Sequence, residues 1–373
     1  MGRALKAAAA KPVEPFLPYG RQLIEDDDVA AVAEALRSDF LTTGPFVSRF
    51  EAALARTVQA REAVVCANGT AALHMAARAL NLGPRTKVIV PALTFLATAA
   101  VFNVHLNGQC GRLEEICAIA RAHGARIVDD ACHALGTAYI AGDGTVVPIG
   151  ANAFSDLTVF SFHPVKTIAM GEGGAVTTND PAMAQRLQRA RNHGMTRDPG
   201  QFHNLADAFG ADGLANPWYY EMAEPEFNWR ANDMQCALGT SQLRKLGRFV
   251  ARRRALAAHY DFHLAALGPI VRPLCRTRPC LPAWHLYAVR IDFEAAGITR
   301  AALMRALAED GIGTQVHYFP VHRQPYYAQR YGVAHLPGAD RYYERALSLP
   351  LFAAMTEAEV VRVVQALSRR LGF

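Results

Sequence analysis

Between residues 63 and 178 the chain alternates short apolar runs with stretches in which apolar residues return every three or four positions. The runs Ala63 to Cys66, Lys87 to Val90, Phe102 to Leu106, Arg126 to Asp129, Thr158 to Phe160 and Ala175 to Thr178 have strand length and little polar interruption. Strands alternating with helices in this order predict a mostly parallel sheet with helices on both faces. Upstream, helices are expected over about Asp27 to Ser38 and Pro45 to Val58, preceded by a flexible, Pro- and Ala-rich arm, residues 1–18. The run Met234 to Leu267 keeps the helical period and leads into a smaller α/β region with strands near His285 to Asp292 and Gly313 to Tyr318. A last helix opens at Thr356-Glu-Ala-Glu359, a capping box, with Val360, Val363, Val364 and Leu367 on one face. This divides the chain into a large domain, 19–240, and a small C-terminal domain, 241–373, with Gly200 to Pro217 as a mobile loop.

At 373 residues, 51% hydrophobic and 19% charged, the chain can bury a core large enough for two domains. No run approaches the length of a membrane span, and Ala7 to Ala10 is too short for the apolar core of a signal peptide. Lys6 also breaks the N-myristoylation pattern, so a cytoplasmic protein is expected. Seven cysteines show no paired C-x-x-C spacing; Cys66, Cys132 and Cys236 read as reduced core residues, and no metal is expected. The net charge of +6 suits an anionic substrate. The basic residues are scattered except at Arg252-Arg253-Arg254, which reads as a solvated helix face, and nucleic-acid binding is disfavoured. The acidic cluster Glu25 to Asp28 fits the positive end of a helix rather than a metal site.

The chemistry concentrates at strand ends. Lys166, in Val159-Phe-Ser-Phe-His-Pro-Val-Lys-Thr-Ile-Ala-Met-Gly-Glu-Gly-Gly174, lies in a proline- and glycine-punctuated turn between two apolar runs. An amine held there is partly desolvated, which lowers its pKa toward a nucleophilic free base suited to Schiff-base chemistry. Asp130 ends the run Ala125-Arg-Ile-Val-Asp-Asp, where a carboxylate can keep a pyridine nitrogen protonated. Cys66-Ala-Asn-Gly-Thr70 joins a strand to a helix, offering main-chain N–H groups and the Thr70 hydroxyl to a phosphate. Ser161, five residues before Lys166, stands on the same side of the turn.

These words, with Asn-Gly-Thr-Ala-Ala-Leu-His, Phe227-Asn-Trp-Arg-Ala-Asn-Asp-Met-Gln-Cys-Ala-Leu-Gly239 and Val316-His-Tyr-Phe-Pro-Val-His322, resemble the sugar aminotransferases of the DegT/DnrJ/EryC1/StrS family, from about Tyr19 to the C-terminus. Trp218-Tyr-Tyr-Glu-Met222 and Tyr342-Tyr-Glu-Arg-Ala-Leu-Ser-Leu-Pro-Leu351 are most similar to its pseudaminic-acid branch. The resemblance implies the fold of the pyridoxal-phosphate-dependent transferases (aspartate aminotransferase-like, fold type I). It implies Lys166 bound to pyridoxal 5′-phosphate, Asp130 at the ring nitrogen, Phe95 stacked on the ring, and Thr70, Ala71 and Ser161 at the phosphate. Asn228 would reach that phosphate from a partner subunit, making the active unit a homodimer. His133 would orient the ring or Asp130, while His317, Tyr318 and His322 line the sugar side. His163 packs in the turn, and Glu172 is a further candidate on the substrate side. The reaction implied moves an amino group from L-glutamate to C4 of a UDP-linked 4-keto-6-deoxy-N-acetylhexosamine.

One departure stands out. Relatives continue from the stretch equivalent to Phe95-Leu-Ala-Thr-Ala-Ala100 through a further strand and helix, whereas here Ala100 runs almost directly into Asn103-Val-His-Leu-Asn-Gly108. An edge strand and its crossover are expected to be missing near residue 101, because a parallel crossover needs on the order of a dozen residues. That leaves a second expectation, an impaired family member acting as a cofactor-binding or dimerising scaffold. Members that lack the Schiff-base lysine and act as dehydratases are disfavoured by the presence of Lys166.

Overall fold

The computed structural model describes residues 15–83, 86–92 and 102–373. Helix α1 (Asp26–Leu36) opens with reciprocal capping between Glu25 and Asp28, and α2 (Pro45–Val58) starts with proline at its first position. Strand β1 (Glu62–Cys66) feeds α3 (Gly69–Ala79), and β2 (Phe102–Val104), α4 (Leu113–Ala122), β3 (Val128–Asp130), β4 (Ala138–Ile140) and β5 (Val146–Pro148) follow. Then come β6 (Leu157–Ser161), β7 (Gly174–Thr178) and α5 (Pro181–Arg191). The main sheet has the order β1-β7-β6-β3-β2. β6, β3 and β2 pair in parallel, while β7 runs antiparallel to both β1 and β6, so the sheet is mostly parallel as expected, with one reversed strand.

Alternation along these strands supplies apolar packing on both faces of the sheet. Val64, Cys66, Val159 and Val176 pack beneath α3 and α5; Ala63, Val65, Phe160 and Ala175 face the layer that contains α2. Residues 87–90, expected as a strand, are not one, and Ile89 is 74% exposed. An apolar run becomes a strand only when a neighbour closes its hydrogen-bond ladder. Among the described residues none does, and β2 forms the edge of the sheet. Residues 93–101, including Phe95, lie outside the described residues.

The segment expected as a mobile loop, 200–217, is largely exposed but carries local structure. Between β8 (Met195–Thr196) and β9 (Glu221–Met222) it forms the short helix α6 (Leu205–Ala208) and a bridge from Phe209 to Ala215. Phe202, buried edge-on against Tyr219 with ring centroids 4.9 Å apart, anchors it. One apolar anchor outweighs a Gly- and Asp-rich composition.

The long helical run breaks at Lys245 into α7 (Asp233–Arg244) and α8 (Leu246–Leu264). Leu246, Phe249 and Val250 join the core beneath the main sheet, whereas Leu256, Tyr260 and Leu264 enter a second core. That second core gathers around β10 (Val271–Pro273), β12 (Tyr287–Ile291), α9 (Arg300–Glu309), β13 (Ala346–Leu349) and α12 (Glu357–Leu371), while β11 (Cys280–Leu281), α10 (Pro325–Tyr331) and α11 (Pro337–Arg345) lie outside it. β10, β12 and β13 make its sheet, and β11 crosses to pair with β4. The strand expected over 313–318 reduces to one bridge, Gln315 to Ser348. The capping box at Thr356 and Glu359 forms, and Leu17, expected in a flexible arm, is buried in the second core with its N–H 2.8 Å from Gly311 O.

The arginine triplet corrects a second expectation. Arg253 is 1% exposed, and its guanidinium donates to the carbonyls of Trp284 (3.2 Å), His285 (3.2 Å) and Leu351 (3.0 Å). Arg254 donates to Leu281 and Pro282, and Arg252 to Met355. Arg253 alone is covered, because carbonyls of the following domain converge on it, whereas Arg254 remains exposed as expected. Burial lowers the pKa of Arg253 to about 10, so it stays charged at neutral pH. Arg253→Leu strands three carbonyls and is expected to cost about 3 kcal/mol, read as a lower urea midpoint; an unchanged midpoint would contradict this account.

Candidate active site

The parallel strands β1, β3 and β6 release their C-terminal ends on one side of the sheet, where ligands bind in open α/β folds. There β1 passes into α3 through Ala67-Asn68. Asn68 caps the helix by accepting the Ala71 N–H at 2.8 Å. That commits the Ala71 N–H to the cap, leaving the N–H groups of Gly69 and Thr70 to serve an anion at this helix end. Thr70 is exposed there. Gly69 cannot be larger: a Cβ on it would lie 2.8 Å from Ser161 Cβ and 3.4 Å from Cys132 Sγ. This close approach sets Ser161, the last residue of β6, beside the helix N-terminus.

Lys166 lies in the loop between β6 and β7. Phe162 N–H donates to Gly173 O at 2.8 Å, Met170 N–H to Phe162 O at 2.9 Å, and Lys166 N–H to His163 O at 2.8 Å. Ile168 and Met170 anchor the loop in the core, while His163 and Glu172 are exposed. Burial pushes the pKa of the Lys166 amine below the ordinary 10.5, opposed by the nearby Cys132 and Asp130. Asp130, at the end of β3, is 5% exposed and accepts the Cys132 N–H at 3.1 Å. Its neighbour Asp129 points to the other face, accepting from Asn103 Nδ2 at 3.1 Å with His105 Nε2 3.4 Å away. Strand alternation thus separates the two acids. Cys66 and Cys236 are buried as read, and burial pushes the Cys66 thiol up to about 12. Cys132 is only partly buried and belongs to the Asp130–Lys166 group, a role that apolar patterning did not reveal.

The small domain closes over this group. Tyr318 Oη and His133 Nε2 are 3.0 Å apart, His317 Nδ1 and Ser348 Oγ 2.8 Å, and the His133 and His285 rings 4.3 Å between centroids. Burial, reinforced by the Lys166 charge, holds His133 and His285 well below the ordinary histidine value of 6.5 and His317 at about 4. Among the sequence candidates, Asp130, His133, Lys166, His317 and Tyr318 fall in one neighbourhood. His322 instead faces Asp340 at 3.5 Å, and the exposed Asn228 bridges to Asn192 and accepts the Arg230 N–H at 3.3 Å. His285 and Asn107, absent from the sequence candidates, join the neighbourhood; the Asn107-Gly108 pair is a turn signal that marks their meeting point.

The DegT/DnrJ/EryC1/StrS aminotransferase family model matches residues 22–101 and 97–368. The two stretches meet where the expected strand is missing. The chain is 34% identical to the spore coat polysaccharide biosynthesis protein SpsC of Bacillus subtilis (strain 168), covering 94% of this chain and 96% of that protein. That alignment runs over 390 positions, more than the 373 residues present here, so it places gaps in this chain. Among solved structures, Helicobacter pylori PseC, an aminotransferase involved in the biosynthesis of pseudoaminic acid, superimposes with a TM-score of 0.84 at 24% identity, covering 95% of this chain and 99% of that one. DesV of S. venezuelae, solved with a ketimine intermediate, gives 0.80 at 28% identity, covering 96% and 100%.

Two outcomes follow from the buried titrating groups. As pH falls from 6.5 to about 4, the unfolded chain binds protons that the folded His133, His285 and His317 refuse, so stability declines through that window. Urea unfolding at stepped pH should show this decline, and His317→Asn should flatten it. Lys166→Met removes a partly desolvated cation, so the cofactor-free variant should exceed wild type in urea midpoint at pH 7, the gap closing toward pH 10.5. The chain belongs to the DegT/DnrJ/EryC1/StrS aminotransferase family.

Proposed function

We propose that this enzyme transfers the amino group of L-glutamate to C4 of a UDP-linked 4-keto-6-deoxy-N-acetylhexosamine, a cytoplasmic step of pseudaminic-acid-type nucleotide-sugar synthesis, as a pyridoxal-5′-phosphate-dependent homodimer. The observation that carries this reading is the meeting of a partly desolvated Lys166 amine, the buried Asp130 carboxylate and the Gly69–Ser161 contact at three strand ends. These residues fit the coenzyme. A carboxylate suits its ring nitrogen, an amine its aldehyde, and a helix N-terminus without side-chain bulk its phosphate.

Pyridoxal phosphate bound there supplies an electron sink and carries the amino group between two substrates. Lys166 would hold it and, once released, take the proton from Cα of the amino donor as a general base, a role favoured by a lowered pKa. Asp130, shielded from water, would face the ring nitrogen. Thr70, Ala71 and Ser161 would line the phosphate, with the Ala71 N–H acting through its cap to Asn68. Phe95 would stack on the ring. Asn228, exposed on one chain, would complete the phosphate site of a partner. His317, Tyr318 and His322 would face the sugar. The sequence words shared with the pseudaminic-acid branch support C4 of a UDP-sugar as the acceptor position.

Among the described residues no helix is long and apolar enough to cross a membrane. The open edge at β2 and the exposed Ile89 favour a second reading, a scaffold that binds coenzyme without turnover. Incubation with pyridoxal phosphate, glutamate and UDP-4-keto-6-deoxy sugars separates the two, with the sugar product analysed by NMR. The proposal predicts 2-oxoglutarate and a 4-amino sugar, and a loss of about a thousandfold or more in Lys166→Ala. Bound coenzyme with no 2-oxoglutarate would support the scaffold instead.

A further inference from the structure

Helix α8 carries two histidines four positions apart, in His259-Tyr-Asp-Phe-His263. At about 3.6 residues per turn they lie on one face, one above the other. Each directly precedes a fully buried residue, Tyr260 and Leu264, whose packing in the second core fixes the rotation of the helix. The histidines therefore project at the margin of that core, half-buried. Their rings meet at an interplanar angle of 78° with centroids 4.5 Å apart, and Nε2 of His263 lies 3.2 Å from Nε2 of His259.

The two Nε2 atoms converge on one point. Without a metal, one Nε2–H donates to the other nitrogen. Two nitrogens each about 2.1 Å from a common ion stand about 3.0 Å apart when adjacent in a square plane and about 3.4 Å apart in a tetrahedron. The observed 3.2 Å falls between these values, so little movement separates the pair from the bite of an ion once the donating ring carries its proton on Nδ1 instead. Imidazole nitrogen suits Cu2+, Ni2+ and Zn2+, whereas Mg2+ and Ca2+ take oxygen. Among the described residues no third histidine, cysteine or acid completes a metal-binding group. His263 lines an open cavity of about 410 Å³ with Leu267, Val364, Gln365 and Ser368, which leaves room for water at the remaining positions. Arg369, on the same cavity, is drawn to Asp310 at 3.8 Å, and Asp261 is held by Arg276 and Tyr287. The residue after His259 is the buried Tyr260, where a hydrolytic metal helix carries a glutamate base, so the pair coordinates without supplying acid–base chemistry.

We propose that His259 and His263 form a two-histidine site on α8 for a divalent transition-metal ion of the Cu2+, Ni2+ or Zn2+ class, with water in its other positions. It stands apart from the aminotransferase reading and holds whatever reaction the chain performs. The expectation that no metal binds rested on cysteine spacing, in which these histidines played no part. Because the helix brings the two rings together only in the folded chain, the ion stabilises the native state over the unfolded one.

Titration of untagged full-length protein with Zn2+ and Cu2+, beside His259→Ala and His263→Ala, tests this. Alanine favours a helix, and an unchanged far-UV spectrum checks that both variants fold. Wild type is expected to bind one equivalent of Zn2+ that each variant loses or holds at least tenfold more weakly. Zn2+ should raise the urea midpoint of wild type and of neither variant, and Mg2+ should raise none. Pulsed EPR of the Cu2+ form should detect two imidazole nitrogens at this site, falling to one in either variant. Equal Zn2+ stoichiometry and affinity in all three proteins, a loss confined to one variant, or Cu2+ held by fewer than two imidazoles would overturn the proposal.

Discussion

An amine is a useful base and nucleophile near neutral pH only where water is kept from its charged form, and the architecture around Lys166 follows from that constraint. The loop that carries it is tied at both ends by main-chain hydrogen bonds and anchored by Ile168 and Met170 in the core. The groups nearest to it are neutral or acidic. His133 and His317 refuse protons, while Asp130 and Cys132 partly offset the desolvation. A second cation in this space would raise the cost of burying the first. The histidines are held uncharged for the same reason that the lysine's pKa is lowered.

The site also depends on the small domain staying closed over the sheet. Arg253, in the middle of α8, gathers the carbonyls of Trp284, His285 and Leu351. Trp284 and His285 in turn clamp Gly108, and through Asn107 that clamp reaches His133. One buried guanidinium thus connects the domain junction to the ring that contacts Tyr318. By contrast, the outer edge of the sheet carries none of these residues. The ends of β1, β3 and β6 therefore assemble without any contribution from beyond β2 among the described residues.

Much of this was legible in the sequence where function and local pattern coincide. Asp130 and Lys166 stand at boundaries between apolar runs and polar turns, and α2 and the box at Thr356 begin with residues whose capping chemistry is local. What remained hidden depends on distant partners. Arg253 reads as solvated because nothing within its own helix announces three carbonyls from residues 284–351. The contact between His133 and Tyr318 joins positions 185 apart, and the other ring nitrogen of His133 meets a main-chain group at Asn107. Residues 87–90 failed as a strand for the opposite reason: their composition suited one, but among the described residues no neighbouring ladder receives them.

The central claim is that the amine of Lys166 is uncharged often enough, and aimed well enough, to bond the coenzyme's aldehyde carbon. Borohydride reduction of the folded protein mixed with pyridoxal phosphate, followed by peptide mapping, tests it directly. The account predicts a single modified peptide spanning residue 166, with loss of the yellow absorbance. Well-folded protein that stays unmodified at that position, or is modified at scattered surface lysines instead, would contradict it.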